Sequence, residues 1–525
     1  DGNDVVLIEA TAPSVVYVDD SFTQNPGQTI SDADLGTTGS QGAIFKVNAF
    51  TTLTEALAAV STGGTIIVNA GTYAETVSLT NGKTMEITGP DSAGTVTISA
   101  LSSTAGTNII IEGTSNLTVG NANNQAIDGT ISGTGGLTKT GTGTLSLSAG
   151  NSYSGATLVD QGVLSISHDT ALGTTGGATT VNQTNSAQLR LSGNITVAEN
   201  LIFTGGAAGI PTSLQNVSGN NTISGLVTTP ANIRIQSNGG SLTFTGGVSG
   251  TNTFFVLNPG GGSVAFTTNP VNLGASGHFW ADSGGLTVLG VSGNTFGTTT
   301  FSGGTLRMDV ANALPANTTF NVGGISYNPN GTLNLNGFSQ TVGALNQAGS
   351  TATTMQITSA TAATLTVNQT TTTNYKGGIT GAVSLVKSAS GTLTLSGPNS
   401  YTGLTTISGG RVTAGSTSSL SPNSAFTVSS GAFLELDGFS NSIGSLAGAG
   451  TVENANATAA TLTAGGDTTT TTFSGVIQNG TGGGILSLVK TGSGTQTLSG
   501  ANTYSGTTTV SEGVLLVNGT HTGGA

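Results

Sequence analysis

The sequence has 525 residues, of which 6% are charged, and a formal net charge of −13 at pH 7 from 10 basic and 23 acidic side chains. Nucleic acid is not an expected partner, because phosphate backbones are bound by clustered Lys and Arg, and no basic run is present. Cysteine is absent, but a chain of this length buries enough core to be secreted without disulfides.

The composition argues against a disordered chain and against a membrane-spanning helix. Disordered segments combine low hydrophobicity with high charge, whereas this chain has 35% hydrophobic residues and 84 glycines, which suit short strands and tight corners. No run of about 18 apolar residues occurs, so membrane insertion of this segment is not expected.

The sequence starts at Asp1 without a charged and apolar leader. We therefore expect a mature form from which any signal peptide has been removed.

Residues 1–14 are predicted to form an apolar strand and a linker. The strand is the run Val5, Val6, Leu7 and Ile8, and Pro13 lies in the linker. Nothing in the region that follows is an obvious partner for this strand, so its pairing partner is left open.

Residues 15–120 are predicted to contain a capping helix and the first turns of a solenoid. From Phe50 to Val60, apolar residues recur with the i, i+3, i+4, i+7 spacing of an amphipathic helix. Gly63 and Gly64 follow and end this pattern. A helix at this point can cover the apolar core that a solenoid exposes at its first turn.

Residues 121–525 are β-rich, with glycine at the corners, and contain three long copies of one repeat. The last copy reads LVKTGSGTQTLSGANTYSGTTTVSEGVLLVNG. In each copy, a lysine precedes a tyrosine by 14 residues and an asparagine precedes it by two. The lysine and tyrosine pairs are Lys139 and Tyr153, Lys387 and Tyr401, and Lys490 and Tyr504. Apolar residues that return at short intervals between Thr and Ser indicate strands separated by tight turns.

These copies resemble the autotransporter-associated β-strand repeat, also called the passenger-associated transport repeat. The resemblance covers about a hundred of the 525 residues directly. It implies a right-handed parallel β-helix in a secreted bacterial surface protein, and no catalytic residue. The sequence TIIVNAGTYAETVSL, which follows the predicted helix, is similar to the N-terminal cap of pectate-lyase-like β-helices.

A longer period lies over the short one. LNLNGFSQTVGAL and LELDGFSNSIGSL begin 101 residues apart, which predicts tandem units of about a hundred residues at 331–430 and 432–525. A degenerate copy, GNTFGTTTFSGGTLRM, occupies 293–308, and Phe296 takes the place of the tyrosine there. The predicted fold is all-β: a right-handed parallel β-helix, or solenoid, with one short N-terminal capping α-helix.

Catalytic residues, metal ligands and cofactors are not predicted. A hydrolase or lyase on a β-helix needs several carboxylates together, and the only adjacent acidic pair is Asp19 and Asp20. The three histidines, His168, His278 and His521, are far apart and lack ligand spacing. A site assembled across turns of the solenoid is left open.

Aromatic residues are the candidates for binding. Tyr153, Tyr401 and Tyr504 could stack on sugars in a row, although packing over their own turns is the favoured interpretation. Trp280 is the candidate for an exposed aromatic contact, against a role in the core or in anchoring a loop. The repeat lysines are expected to be solvated or to bind their turns.

The sequence thus predicts a secreted or cell-surface, non-enzymatic protein with a structural or adhesive role, an elongated solenoid passenger or fibre subunit. The alternatives are a carbohydrate-active lyase or hydrolase and a glycan-binding adhesin on the same fold. Homotypic head-to-tail assembly is a further expectation, in which residues 5–8 add to the last turn of a neighbouring copy. The competing expectation is that residues 5–8 pair within their own chain.

Overall fold

The computed structural model describes residues 11–34, 41–88, 94–205, 212–282, 284–323, 331–347 and 355–523. The chain divides into two compact units, Asp1–Ser249 and Gly250–Ala525, which we call the first and second unit. The domain boundaries that we predict at 14 and 120 stay a prediction. The candidate strand of Val5, Val6, Leu7 and Ile8 lies outside the described residues.

Short strands make up most of both units. Strands β1 to β25 are, in chain order, Val15–Val18, Thr29–Ile30, Ala43–Ile44, Ala49–Phe50, Thr65–Val68, Gly71–Leu79, Thr84–Ile87, Thr95–Ser103, Asn108–Ile111, Asn116–Val119, Gln125–Ile127, Thr130–Gly133, Gly136–Lys139, Thr144–Leu147, Thr157–Val159, Val163–Ile166, Thr179–Asn182, Gln188–Leu191, Thr196–Val197, Leu201–Thr204, Leu214–Asn216, Asn220–Ile223, Val227–Thr229, Ile233–Ser237 and Ser241–Phe244. Strands β26 to β54 are Val248–Gly250, Thr253–Leu257, Ser263–Phe266, Val271–Asp282, Leu286–Leu289, Thr295–Phe301, Gly304–Met308, Thr319–Val322, Gly331–Asn334, Gln340–Val342, Ala344–Gln347, Gln356–Asn368, Thr373–Tyr375, Gly378–Ser388, Thr392–Leu395, Thr405–Ile407, Arg411–Ala414, Ala425–Val428, Phe433–Glu435, Asn441–Ile443, Ser445–Gly448, Thr451–Glu453, Ala460–Ala464, Thr471–Phe473, Val476–Gln478, Leu486–Lys490, Thr495–Leu498, Thr508–Val510 and Val514–Val517.

Each turn of the chain lays its strands parallel to those of the turn before. In the first unit, β13 pairs with β15 and β14 pairs with β16, with Leu137 opposite Thr157 and Leu145 opposite Leu164. Parallel pairing between consecutive turns confirms the predicted parallel β-solenoid in both units. We call one such turn a rung.

The core is a column of apolar side chains inside each unit. Alternate residues of a strand point to opposite faces, so that one set points inward and the next set outward. In the second unit, the paired strands β40, β42, β44, β47 and β50 place one apolar residue per rung in register. These inward residues, all fully buried, are Leu393, Val412, Leu434, Val452 and Ile477.

The α-helix of the described residues, α1, spans Leu53–Ala59 and packs against β1, β4 and β6. Thr52 caps its N-terminus, and the Glu75 carboxylate accepts hydrogen bonds from the N–H groups of Leu53 and Thr54 at 2.9 Å each. A capping helix is therefore confirmed, but it begins three residues later than the spacing predicts, because Phe50 pairs with β1 as part of β4.

Candidate functional site

The repeat lysines are buried and bind turn carbonyls. Lys139 ends β13, and its Nζ donates hydrogen bonds to the carbonyls of Thr140 at 2.5 Å and Gly141 at 2.9 Å. Its third bond reaches the carbonyl of Gln161 in the next rung, at 3.0 Å. An ammonium group has three N–H donors, so all of them are used within the protein.

The other two copies repeat this arrangement. Lys387 Nζ donates to the carbonyls of Ser388 and Ala389, at 2.6 and 2.9 Å, and Lys490 Nζ donates to those of Thr491 and Gly492, at 2.7 Å each. Burial lowers the pKa of Lys139 and of Lys387 to about 8. Of the two environments expected for these lysines, the structure shows turn binding.

The repeat asparagines join consecutive rungs. Asn151 Oδ1 accepts a hydrogen bond from the N–H of Ile131, one rung earlier, at 2.8 Å, and its Nδ2 donates to the carbonyl of Ala171, one rung later, at 2.6 Å. Asn399 makes the same two bonds, and Asn502 makes the first of them. The asparagine is thus a cross-brace within the wall of the solenoid.

The repeat tyrosines are inside the solenoid, with 0 to 2% of their surface exposed. The hydroxyl groups of Tyr153 and Tyr401 each lie 2.6 Å from the Oγ1 of a threonine four residues later, and Tyr504 has the same partner at 2.7 Å. Stacking on a sugar requires an exposed ring face, which these rings do not have. Their position agrees with the packing interpretation.

The degenerate copy has the same cross-brace. Asn294 accepts a hydrogen bond from the N–H of Val271 at 2.7 Å and donates to the carbonyl of Ala313 at 2.8 Å. Phe296, in the place of the tyrosine, is buried and stacks on Phe279 with ring centroids 5.3 Å apart.

Sequence reasoning missed a cluster of carboxylates in the second unit. Arg411 Nη1 donates to Glu435 Oε2 at 2.7 Å and to Glu453 Oε1 at 2.6 Å. The other oxygen of Glu453 accepts from Gln478, and Glu435 Oε1 accepts two backbone N–H groups. Burial raises the pKa of Glu435. The outward positions of β44 and β47 could have revealed this pairing once the register of the rungs was known.

The hydrogen-bonding capacity of the two glutamates in this cluster is fully used within the protein. Both glutamates are buried, all four of their oxygens accept hydrogen bonds, and the guanidinium lies over the Phe433 ring, 4.5 Å from its centroid. An acid or base in hydrolysis must reach the substrate proton that it transfers. The arrangement is suited to tying three rungs together.

The residues weighed for acid chemistry and for metal binding also serve the fold. Asp19 accepts hydrogen bonds from the N–H of Ser21 and from Asn69, and Asp20 accepts one from the N–H of Thr72. His521 stacks on the repeat tyrosine of the last copy with ring centroids 4.4 Å apart. Throughout the described ranges, no three His, Asp or Glu side chains come together as a metal site.

Trp280 lies on the outer face of β29. Its ring is half-buried and stacks on that of His278, with centroids 5.3 Å apart. The ring of Phe255, in the previous rung, lies beside it at a tilt of 33°, with centroids 5.0 Å apart. We call these three residues the aromatic patch. The indole Nε1 donates to Ser302 Oγ at 2.9 Å, and His278 Nε2 lies 2.8 Å from Thr300 Oγ1.

These hydrogen bonds anchor Trp280 and His278, and both side chains remain partly exposed to solvent. Burial lowers the pKa of His278, which favours the neutral form of this ring. A partly exposed aromatic surface of this kind is suited to contact with a partner. In the part of the chain that the structure describes, no helix is long and apolar enough to cross a bilayer.

Comparisons with known proteins agree with this geometry. The passenger-associated-transport-repeat family matches residues 137–166, 385–414 and 488–517, the three copies whose lysines and asparagines brace the wall. An alignment of 218 positions is 35% identical to the protein named adhesin BmaC autotransporter of Brucella suis biovar 1 (strain 1330), and it covers 40% of the chain and 6% of that protein. No solved structure matches the chain. The chain thus carries three passenger-associated-transport repeats on a parallel β-solenoid.

Proposed function

We propose that the chain is a non-enzymatic adhesive segment of a cell-surface or secreted protein, and that the aromatic patch is one of its contacts. Similarity over 218 residues to a protein named as an adhesin supports the adhesive role. Because the chain spans 6% of that relative, the proposal concerns this segment alone.

The observation that carries the proposal is that the polar side chains of the repeat bind the protein itself, whereas the aromatic patch is exposed. In the repeat, the side chains of Lys139, Asn151 and Tyr153 form hydrogen bonds with other residues of the chain. The saturated glutamates around Arg411 offer no free carboxylate oxygen to a substrate. The aromatic patch faces outward instead, where the parallel strands β27, β29 and β31 hold its residues in register.

A binding assay with two matched variants tests this function. We expect the purified chain to bind immobilised host cells or a glycan array, and Trp280→Ala to weaken that binding about tenfold or more, as loss of an aromatic anchor does. Tyr401→Phe is the control, because it removes a buried hydroxyl and leaves the outer face unchanged. Both variants should keep the β-rich circular dichroism spectrum.

Other outcomes separate the alternatives. Binding by the chain that Trp280→Ala leaves unchanged would retain the adhesin and reject the aromatic patch as its contact. Release of reducing ends from acidic or neutral polysaccharides would instead favour the carbohydrate-active enzyme. Head-to-tail assembly through residues 5–8 stays a prediction, since those residues lie outside the described ranges.

A further inference from the structure

An apolar groove of about 430 Å³ lies beside the first rung. Its lining is uncharged and comes from the start of the described chain and from β2, β3 and the turn after β3. The lining residues are Pro13, Thr29, Gly42, Ala43, Ile44, Val47 and Asn48.

The groove exposes large apolar side chains to solvent. Ile44 is 43% exposed and Val47 is 53% exposed, and Val15, which follows the lining residue Pro13 closely in the chain, is 36% exposed. In the described part of the first unit, these are three of the five large apolar residues that are exposed, the others being Val217 and Leu226. The removal of apolar surface from water is favourable, so this groove favours an apolar occupant.

We propose that the occupant is the run Val5, Val6, Leu7 and Ile8 of the same chain. These four consecutive apolar residues lie outside the described part of the chain, and Ile8 is separated from the lining residue Pro13 by residues 9–12. A five-residue step spans at most about 18 Å, so the run is held within reach of the groove.

The short linker of residues 9–12 favours an occupant from the same chain over one from a second copy. A short linker gives its two ends an effective concentration in the millimolar range, whereas a second copy at micromolar concentration competes about a thousandfold less well for the same groove. Docking also removes residues 5–8 from the surface. Head-to-tail assembly through this run would therefore require the run to leave its own groove first.

Disulfide trapping tests the proposal on the full chain, which has no cysteine of its own. The variants are Val6→Cys with Val47→Cys, and Leu7→Cys with Val47→Cys. Adjacent residues of an extended segment point to opposite sides, so at least one pair should meet. We expect oxidation to give a monomer with one internal disulfide, seen by mass spectrometry and non-reducing electrophoresis, in a yield that does not change on dilution.

The control pairs Leu7→Cys with Val217→Cys, which stands at another exposed apolar position of the first unit and should not be trapped. Disulfide-linked dimers whose yield falls on dilution would overturn the proposal in favour of strand exchange between copies. Absence of any cross-link to Val47→Cys, or equal trapping at Val217→Cys, would overturn it as well. Val47→Cys and Val217→Cys each change an exposed position of the described chain, so the circular dichroism spectra of these two single variants should match that of the unmodified protein.

Discussion

The ammonium group of Lys139 donates a hydrogen bond to the carbonyl of Gln161, 3.0 Å away in the next rung. The same group binds the turn of its own rung through Thr140 and Gly141. One buried cation thus holds two turns together, and the two rungs cannot separate without breaking its bond to the Gln161 carbonyl.

Replacing Lys139 by methionine keeps the apolar stem and removes the charge. We expect the free energy of unfolding to fall by about 2–4 kcal/mol, because buried carbonyls lose a charged donor. Urea unfolding of the first unit measures this. The control is Lys46→Met, a partly exposed residue paired with Glu55, which should cost less than about 1 kcal/mol. Equal losses would show that the buried contact contributes no more than a surface ion pair.

Leu395 and Thr394 test the assignment of faces on β40. Leu395 is fully buried in the core and Thr394 points outward. We expect Leu395→Asp to cost several kcal/mol, because it buries an unpaired carboxylate, and Thr394→Asp to cost about 1 kcal/mol or less. Thermal melting of both variants gives the comparison. Similar melting temperatures would mean that the phase of this strand is wrong.

The degenerate copy should depend on its asparagine as strongly as the matched copies do. Asn294→Ala leaves the N–H of Val271 and the carbonyl of Ala313 without their partner, and we expect a loss of about 1–3 kcal/mol. Asn399→Ala should cost the same, within experimental error, in denaturant unfolding. Asn317→Ala, at an exposed position of the same unit, serves as the neutral control, and a loss at Asn294 no greater than at Asn317 would refute the equivalence.

Glu199 should make the stability of the first unit depend on pH. Its side chain is buried, Oε1 accepts a hydrogen bond from Thr179 at 2.9 Å, and Oε2 is buried without a partner. Burial raises its pKa from 4.5 to about 8. The folded state therefore holds the proton more tightly than the unfolded state. The contribution of Glu199 to the free energy of unfolding is thus fully present below about pH 4.5 and is lost as the pH rises through about 8.

Melting temperatures at pH 5 and pH 9 measure this effect. We expect the unmodified chain to lose more stability between these values than Glu199→Gln does, because the amide stays neutral throughout. The difference between the two proteins isolates Glu199 from the other groups that titrate in this range. A Glu199→Gln variant with the same pH profile as the unmodified chain would contradict the assignment.

The solenoid could be predicted from sequence because its determinants are local and repeated. The alternation of Leu145 and Leu147 with serine and threonine, and glycine at the corners, fixes strands and turns without knowledge of distant contacts. The resemblance to a repeat family implied that the strands pair in parallel. The degenerate copy around Phe296 was visible for the same reason.

The burial of Lys139 could not be predicted, because a lysine at the end of a strand is solvated in most proteins. Its burial depends on a turn whose carbonyls converge, which is a property of the backbone. The cluster of Arg411 with Glu435 and Glu453 was hidden for a different reason. These residues meet only when the exact register of successive rungs is known, and one residue of slip would place them on different faces.

Within either unit, the hydrogen bonds between rungs run along the direction in which the rungs are stacked. A force applied along that direction therefore acts on one pair of neighbouring rungs at a time, and the rungs should detach one after another. Asn151 and Asn399 each grip the rungs on both sides, so detachment at these points must break additional bonds. In a single-molecule pulling experiment, the steps at these repeats should therefore require the highest force.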